Sequence, residues 1–389
     1  MHPVMLVVGT RPEGIKMMPV YFALKKASIP VYLCSTTQHA NLLTEVFDMF
    51  GVKPDIELNI MQQGQDLFHV TQQVLQGMKG LLERIKPSLV LVHGDTTTTM
   101  AAGLSAFYKQ IPVGHVEAGL RTGDIYSPYP EEFNRVSLGL LAKYHFAPTA
   151  VSAANLLAEG KNKNTVFCTG NTVVDALRII EDEINSGTLK IRSDIEQAIA
   201  SAQISNQKIV LFTMHRRESF NGGIERMIES MKVFAQKNPD VLFVYPYHPN
   251  PAVIRALEKV DLTGVENIFL TEPVGYKDLV YLLFHTDAVA TDSGGIQEEA
   301  VSLGKHVLIL REKSERMEGV WEGLATIIGT NSNFFTQKLY EVLAAKKSIV
   351  RRTIYGDGFA AEKIVRIIEQ SNDNASRIIH KEQQREFGS

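Results

Sequence analysis

Two carboxylates follow apolar runs of the sequence and a third opens a polar segment, and the chemistry that the three suggest is proton transfer. Asp95 follows the run 88–93, Glu117 closes the run 112–116, and Glu131 opens the polar segment EEFNR. A carboxylate has no role in an apolar core, where burying it unpaired costs several kcal/mol. Carboxylates that share one site acquire different pKa values, which a general acid and a general base require. The three residues therefore predict a proton-transfer site.

Two of these carboxylates also have structural interpretations that the residues leave open. Asp95 precedes four threonines, which suit helix caps better than helix interiors, so Asp95 can be the N-cap of the next helix. Glu117 can instead form an ion pair with Arg121 or Arg135.

Basic residues follow two other apolar runs and indicate an anionic ligand. Arg11 and Lys16 stand in GTRPEGIK after the run 3–9, and His215 stands in MHRRES after the run 208–213. Thr10, Pro12 and Glu13 of the first motif suit a capped helix start. Cations at that helix end oppose the macrodipole, so a bound anion would explain them, although a solvated surface pair stays an alternative. The spacing around His215 does not suggest a metal site.

A motif of small residues, DSGGIQEE, follows the run 288–291 and predicts a pyrophosphate site. Ser293, Gly294 and Gly295 would expose backbone N–H groups at a helix N-terminus. Ser293 can also be a plain N-cap. Glu299 stands about one and a half turns into the helix, where it can accept from ribose hydroxyls. Three weaker candidates lie near other predicted strand ends: His248, Tyr276 and Arg316.

The elements that must position these residues are strands alternating with amphipathic helices. Continuous apolar runs separated by helical patterns indicate a parallel sheet covered on both faces, and the second half of the chain repeats the scheme. We expect two Rossmann-like α/β domains, 1–170 and 171–359, with a helix at about 360–375 packing back on the first. The stretch 183–207 looks like a helical connector outside the core, and 376–389 looks like a frayed tail.

Composition narrows the functional classes. A chain of 389 residues with 44% hydrophobic and 21% charged residues suits two globular domains. The net charge of −3 predicts no general affinity for nucleic acid or anionic membranes. We find no leader peptide and no apolar run near 18 residues, so we expect a cytoplasmic protein. Both cysteines, Cys34 and Cys168, and the single tryptophan, Trp321, are expected to be buried packing residues.

Taken together, the motifs resemble those of the non-hydrolysing UDP-N-acetylglucosamine 2-epimerase family. The resemblance covers nearly the whole chain, from Gly9 to Gly358, through GTRPEGIK, HGDTTTT, GHVEAGLRTGD, SPYPEEFNR, CTGNTVVDAL, HRRES, DSGGIQEEA and YGDG. It implies a GT-B-like fold, usually dimeric, with a UDP-sugar bound in the cleft between the domains. It also implies interconversion of UDP-GlcNAc and UDP-ManNAc, without redox cofactor or metal, through elimination and re-addition of UDP.

The resemblance also implies roles for individual residues. Asp95, Glu117 and Glu131 would be the acid/base carboxylates, and it does not decide which one removes the proton. His215 and Arg11 would stabilise the diphosphate with support from Lys16. The remaining binding residues implied for UDP and the sugar are Arg135, His248, Tyr276, Ser293, Gly294, Gly295, Glu299 and Arg316.

The chain departs from the family pattern at three places. Many members are activated by a second UDP-GlcNAc, and Ala40, Asn41 and Gly64 depart from the pattern of that site, in which an arginine, a glutamine or glutamate and a downstream arginine are usual. We therefore hypothesise that this activation is weak or absent. Met317 and the dipeptide Thr353-Ile354 also differ from the usual ERPE and Asn-Pro, which leaves a modified sugar open.

Four rival functions remain at this stage. A hydrolysing epimerase would release UDP and free ManNAc, and an epimerase for UDP-2,3-diacetamido-glucuronate would need a basic contact near C6. A GT-B glycosyltransferase would need an acceptor site and no group of three carboxylates. A catalytically dead UDP-sugar binder is disfavoured by the complete set of Asp95, Glu117, Glu131 and His215.

Overall fold

The computed structural model describes residues 2–37, 40–62, 64–216, 222–345 and 352–371. It divides into two compact units. The first unit is Met1–Ala176 with Gly356–Ser389, and the second unit is Leu177–Tyr355. The chain leaves the first unit after Ala176 and returns to it at Gly356.

A seven-stranded parallel sheet forms the centre of the first unit, in the order β3-β2-β1-β4-β5-β6-β7. Its strands are β1 (Val4–Val8), β2 (Val31–Ser35), β3 (Ile56–Glu57), β4 (Leu89–His93), β5 (Val113–Val116), β6 (Tyr144–Ala147) and β7 (Val166–Cys168). The helices of this part of the chain are α1 (Arg11–Lys26), α2 (Ala40–Met49), α3 (Leu67–Ile85), α4 (Thr97–Tyr108), α5 (Glu131–Leu141), α6 (Ala150–Ala158) and α7 (Thr172–Asn185).

The second unit repeats this plan with a six-stranded parallel sheet in the order β10-β9-β8-β11-β12-β13. Its strands are β8 (Lys208–Thr213), β9 (Val241–Pro246), β10 (Ile268–Thr271), β11 (Ala288–Thr291), β12 (His306–Ile309) and β13 (Ala325–Ile327). Its helices are α8 (Ser193–Ile204), α9 (Gly223–Lys237), α10 (Pro251–Val260), α11 (Tyr276–His285), α12 (Gly294–Ser302), α13 (Glu318–Trp321) and α14 (Ser332–Ala344). A last helix, α15, covers 360–371 and belongs to the first unit.

The apolar runs form the inner strands of the sheets, where their side chains are buried on both faces. All five residues of β1 and of β4 are buried, as a parallel sheet with helices on each side requires. Met5, Val74 and Val90 belong to the core of the first unit. Phe212 and Phe335 belong to that of the second. The prediction of two parallel α/β sheets with alternating helices is confirmed.

Three smaller predictions are wrong. The stretch 193–204 is not outside the core, because Ile195 and Ile199 of α8 are fully buried. Cys168 is exposed, whereas Cys34 is buried as expected. Trp321 is 64% exposed and therefore is not a packing residue.

No helix in the described part of the chain combines the length and apolar character that crossing a membrane needs. The predicted tail 376–389 and the end of the predicted helix at 375 lie outside the described residues. The residues that we linked to allosteric activation also lie partly outside them, since 38, 39 and 63 are not described and the side chains of 40–42 are not either.

Candidate functional site: a carboxylate cluster and an anion-facing loop

Both sheets carry their polar motifs at the point where the strand order reverses. In the first unit β1 pairs with β4, and in the second unit β8 pairs with β11. Open parallel sheets bind ligands beyond the carboxyl ends of the strands at such switch points. The motifs that begin at Gly9 and Gly94 follow the first pair of strands, and those that include His215 and Ser293 follow the second. Each unit therefore presents its own candidate site residues.

Glu117 is a buried carboxylate held by three neighbours and carried on unusual backbone. Its φ of 64° is left-handed, which is strained for a residue with a side chain and is found preferentially at functional sites. Its Oε1 forms an ion pair with the ammonium group of Lys16 and accepts from Asn171 Nδ2 at 2.9 Å. His93 Nε2 lies 3.6 Å from the other oxygen, Oε2. The expected ion pair of Glu117 exists, but its partner is Lys16.

The two arginines proposed as partners of Glu117 bind other carboxylates. Arg121 pairs with Glu159 at 2.6 Å, and Arg135 Nη2 pairs with Asp95 Oδ2 at 2.6 Å. Lys16, which we expected beside a diphosphate, reaches Glu117 because α1 runs back over the sheet from the end of β1. Its contribution to a diphosphate site stays a prediction.

Three buried histidines lie on the central strands of the first sheet, at the ends of or within β4, β5 and β6. Burial lowers the pKa of His93 to about 4, that of His115 to about 3 and that of His145 to about 4. His115 is fixed by a 2.7 Å contact between its Nε2 and the carbonyl oxygen of Gly94. All three rings are therefore neutral at physiological pH, so His93 faces Glu117 as a polar group without charge.

Glu13 connects the two loops that surround this cluster. It accepts from the backbone N–H groups of Gly9 and Thr10 at 2.5 and 2.9 Å, which is the predicted capping arrangement. It also accepts from the hydroxyls of Thr96 and Thr99 at the start of α4. Burial raises the pKa of Glu13, and these donors oppose that shift. Glu13 thus ties the end of β1 to the loop that carries Asp95.

Asp95 is not a helix cap. The N-cap of α4 is Thr96, whose hydroxyl accepts from Thr99 N–H at 3.1 Å. The Asp95 carboxylate is paired with Arg135 and stays 25% exposed. Asn134 Nδ2 donates to the carbonyl oxygen of Asp95 at 2.9 Å, which anchors the loop to α5.

Glu131 is the first residue of α5 and adjoins the same arginine. Arg135 Nε lies 3.4 Å from the carbonyl oxygen of Glu131 and 3.5 Å from the carboxylate of Glu132. Glu131 Oε2 is buried and accepts no hydrogen bond from the residues that the structure describes. Arg135 therefore links Asp95 to the start of α5. Its ion pairs are with the carboxylates of Asp95 and Glu132.

In the second unit, His215 lies against a buried aspartate that sequence reasoning left without a role. Asp292 is fully buried, and its Oδ2 accepts from the N–H groups of His215 and Arg216, each at 2.7 Å. His215 Nδ1 lies 3.3 Å from Asp292 Oδ1. Burial lowers the pKa of His215, and the charge of Asp292 opposes that shift. The position of Asp292 after an apolar strand, like that of Asp95, was the signal for it.

His248 lies next to His215, as a shared site requires. The two rings stack with centroids 5.2 Å apart and an interplanar angle of 14°. His248 Nδ1 accepts from Asn250 N–H at 3.1 Å, which fixes the ring and directs Nε2 away from that turn. A histidine that alone looked structural is thus paired with the strongest candidate of the second unit.

The N-terminus of α12 has the form expected of an anion site. Ser293 is the N-cap residue of α12, as one of its two interpretations allowed, but its side chain makes no capping hydrogen bond. A Cβ on Gly294 would lie 2.5 Å from Arg316 Nη1, so only glycine allows the guanidinium to pack there. Arg316 is held in turn by Glu298 at 2.9 Å and by Glu315. These contacts place a cation against the first turn of α12.

The positions of the remaining predicted site residues say less about their roles. Arg11 is the first residue of α1 and is half-buried, whereas Tyr276, the first residue of α11, and Glu299, about one and a half turns into α12, are buried. Their roles toward phosphate, base and ribose stay predictions. Arg217, the last basic residue of the His215 motif, lies outside the described residues.

Comparisons with known proteins agree on one family. The family model described as UDP-N-acetylglucosamine 2-epimerase matches residues 23–369. A UDP-N-acetylglucosamine 2-epimerase of Yersinia pestis is 46% identical over 371 residues, which is 94% of this chain and 98% of the relative.

Solved structures agree with these sequence matches. The Neisseria meningitidis UDP-GlcNAc 2-epimerase bound to UDP-GlcNAc has a TM-score of 0.86 at 41% identity, covering 95% of this chain and 100% of that one. The Staphylococcus aureus MnaA–UDP structure has a TM-score of 0.85 at 39% identity, covering 96% and 97%. The two parallel sheets seen here are thus those of the GT-B-like fold. This chain belongs to the UDP-N-acetylglucosamine 2-epimerase family.

Proposed function

We propose that this chain interconverts UDP-GlcNAc and UDP-ManNAc by eliminating UDP across C1 and C2 and adding it back. The observation that carries the proposal is Glu117, a buried carboxylate on left-handed backbone at a sheet switch point. A buried charge on strained backbone, neutralised by a lysine, does not stabilise a fold. A proton-transfer site, in contrast, uses a carboxylate whose proton affinity is set by such an environment. The family of this chain supplies the substrate class.

The chemistry explains why carboxylates and an anion site are both needed. The hydrogen at C2 has no neighbouring carbonyl, so simple deprotonation would be prohibitively slow. In the elimination, UDP leaves with the electron pair of the C1–O bond while a base takes the C2 proton, and a C1=C2 double bond forms. The reverse addition delivers a proton to the other face of C2. The protein must therefore stabilise a leaving diphosphate and provide proton-transfer groups.

We assign the proton transfers to Asp95, Glu117 and Glu131. Glu117 is buried, whereas the side chain of Asp95 is 25% exposed and held by Arg135. Environments this different separate the proton affinities of neighbouring carboxylates.

We assign the leaving diphosphate to His215 and the first turn of α12. The N–H groups of Gly294 and Gly295 at a helix N-terminus favour negative charge, and Arg316, which is also paired with Glu298 and Glu315, packs against the same turn. Arg11, Lys16 and His248 complete the proposed anion contacts. Arg135, Tyr276, Ser293 and Glu299 complete the proposed contacts to sugar, base and ribose.

Incubation with UDP-GlcNAc in heavy water tests the function. Proton NMR should show two UDP-sugars in a stable ratio, with deuterium at C2 of both. Accumulation of free ManNAc and UDP would identify a hydrolysing enzyme instead. Recovery of unlabelled UDP-GlcNAc would reject the proposal.

We further propose that the chain forms a homodimer through an apolar face of the first unit. A groove of 1020 Å³ lies along α3, α4 and α5. Aromatic side chains project from the same face, with Phe68 85%, Tyr108 68% and Phe133 50% exposed. Exposed apolar surface of this extent marks an interaction site. A face that has both a groove and projecting rings can pack against a second copy of itself, as a two-fold symmetric interface requires.

Phe68→Glu should convert the dimer into a monomer, because it places a charge on the apolar face. Light scattering at micromolar concentration should show the mass falling by about half. Trp321→Glu is the matched control, since Trp321 is 64% exposed in the second unit and should leave the mass unchanged. A wild-type chain that is already monomeric would rule out the interface. The cytoplasmic location and the weak allosteric activation stay predictions.

A further inference from the structure

Two stacked histidines of the second unit each meet a neighbour that decides which ring nitrogen carries the proton. His215 Nδ1 faces the carboxylate of Asp292, and His248 Nδ1 faces a backbone N–H group. We infer that Asp292 is a positioning residue that holds the neutral His215 ring with its proton on Nδ1 and its lone pair on Nε2, whereas His248 has the opposite tautomer. The consequence of this inference for turnover rests on the proposed function, in which His215 contacts the leaving diphosphate.

Asp292 is fixed relative to the segment that carries His215. It is fully buried directly after β11, and its Oδ2 accepts from the backbone N–H groups of His215 and Arg216, each at 2.7 Å. Its other oxygen, Oδ1, lies 3.3 Å from His215 Nδ1. The same carboxylate therefore holds the backbone of His215 and faces its ring.

The contact between Oδ1 and Nδ1 favours one tautomer of His215. Within the described part of the chain, neither Asp292 Oδ1 nor the nearby hydroxyl of Tyr245 makes a hydrogen bond. A buried carboxylate oxygen without a donor is unfavourable. An N–H on Nδ1 would direct its positive end to that oxygen, whereas a lone pair on Nδ1 would face the negative charge. The neutral ring therefore carries its proton on Nδ1.

His248 is held in the opposite tautomer. The backbone N–H of Asn250 donates to His248 Nδ1 at 3.1 Å, which requires a lone pair on that nitrogen. The proton of the neutral His248 ring is therefore on Nε2. The two rings stack with centroids 5.2 Å apart, so a ring with an acceptor at Nε2 lies against a ring with a donor at Nε2.

The tautomer of His215 determines how the ring can bind a diphosphate. A lone pair on Nε2 repels an anion, so Nε2 must gain a proton before it can donate to a phosphate oxygen. Burial lowers the pKa of His215, the charges of His248 and Arg216 lower it further, and the charge of Asp292 opposes these effects. The imidazolium would donate to Asp292 from Nδ1 and to the diphosphate from Nε2. Asp292 thus makes Nε2 the nitrogen that takes up the proton.

Asp292→Asn should reverse the tautomer of His215 while keeping the backbone contacts. The amide oxygen can still accept from the N–H groups of His215 and Arg216, but the NH₂ group then faces Nδ1 and requires a lone pair there. Long-range proton–nitrogen correlation spectra of histidine-labelled protein measure the tautomers at about pH 8, where an imidazole is neutral. His215 should show Nδ1–H in the wild type and Nε2–H in the variant, whereas His248 should show Nε2–H in both. His215→Asn identifies the signals of His215.

Asp292→Asn should also lower kcat for epimerisation about tenfold to a hundredfold, because a neutral Nε2–H stabilises the leaving diphosphate less than an imidazolium does. KM for UDP-GlcNAc should change less than kcat, since Nε2 can still donate to the bound substrate.

Asp287→Asn is the matched control at the other end of β11. The Asp287 side chain is 8% exposed, and its Oδ2 accepts from Ile209 N–H at 2.9 Å. This variant should keep the wild-type tautomers and the wild-type kcat. Thermal melting of both variants measures how much of any change comes from the fold.

The spectra and the kinetics separate the inference from the function on which it rests. Nε2–H on His215 in the wild type, or a tautomer that Asp292→Asn leaves unchanged, would overturn the inference whether or not the chain is an epimerase. A reversed tautomer with kcat within about twofold of the wild type would overturn the positioning role in turnover. Nδ1–H on His215 in a wild-type chain that exchanges no deuterium at C2 would reject the function and support the tautomer assignment.

Discussion

Glu117→Gln should lower the rate of epimerisation by about two to four orders of magnitude, with binding of UDP-GlcNAc retained. Glutamine keeps the shape of the side chain and can still present an oxygen to Lys16 and Asn171, but it neither accepts nor delivers a proton. The exchange of the C2 hydrogen for deuterium should fall in parallel with turnover. Isothermal titration measures the affinity, and proton NMR in heavy water measures both rates.

The control for this variant must also remove a buried carboxylate that neighbours a lysine. Asp287 serves, because its side chain is 8% exposed, Lys208 Nζ lies 3.7 Å from it, and Oδ2 accepts from Ile209 N–H at 2.9 Å. It precedes β11, at the opposite edge of the sheet from His215. Asp287→Asn should lower the melting temperature and leave turnover per folded molecule unchanged. If Glu117→Gln instead abolishes UDP-GlcNAc binding, Glu117 is structural.

The positions of the site residues could be predicted from the sequence because the ends of the strands could be predicted from it. Continuous apolar runs separated by helical periodicity require a parallel sheet, and parallel strands bring their carboxyl ends to one edge. Asp95, Glu117, His215 and Ser293 each follow such a run and lie at that edge. The same reasoning missed β3, whose two residues, Ile56 and Glu57, are too few to show a pattern.

The partners of those residues could not be predicted, because long-range pairs depend on how helices pack. Lys16 and Glu117 are 101 positions apart, and which face of α1 meets the end of β5 is a property of the assembled unit. Arg135 was a candidate for Glu117 and instead binds Asp95 for the same reason. For α8 a local signal existed, since Ile195 and Ile199 have the spacing of one helix face, but the surrounding polar residues obscured it.

The charge state of His215 should couple UDP-sugar binding to pH. In the free chain burial and the charges of His248 and Arg216 lower the pKa of His215, so the ring is neutral at pH 7. An anionic diphosphate next to it would favour the imidazolium, which Asp292 also stabilises. The pKa is then higher in the complex than in the free protein. Affinity must therefore rise as the pH falls through the pKa of the complex, and level off below that of the free protein.

In a Glu117→Gln background, which should retain binding while turnover is slowed, UDP-GlcNAc should bind up to about tenfold more tightly for each pH unit lowered within that window. Its diphosphate carries no proton that titrates there, so the linkage belongs to the protein. Titration calorimetry in buffers of different ionisation enthalpy should show uptake of up to one proton.

His215→Asn should remove both effects and weaken binding at pH 6 by about tenfold or more, because the asparagine cannot become a cation. His306→Asn is the matched control. Burial lowers the pKa of His306 as well, yet this residue begins β12 and so lies at the opposite edge of the sheet. It should leave proton uptake unchanged. Proton uptake that persists in His215→Asn would place the linkage on another group and remove His215 from the diphosphate site.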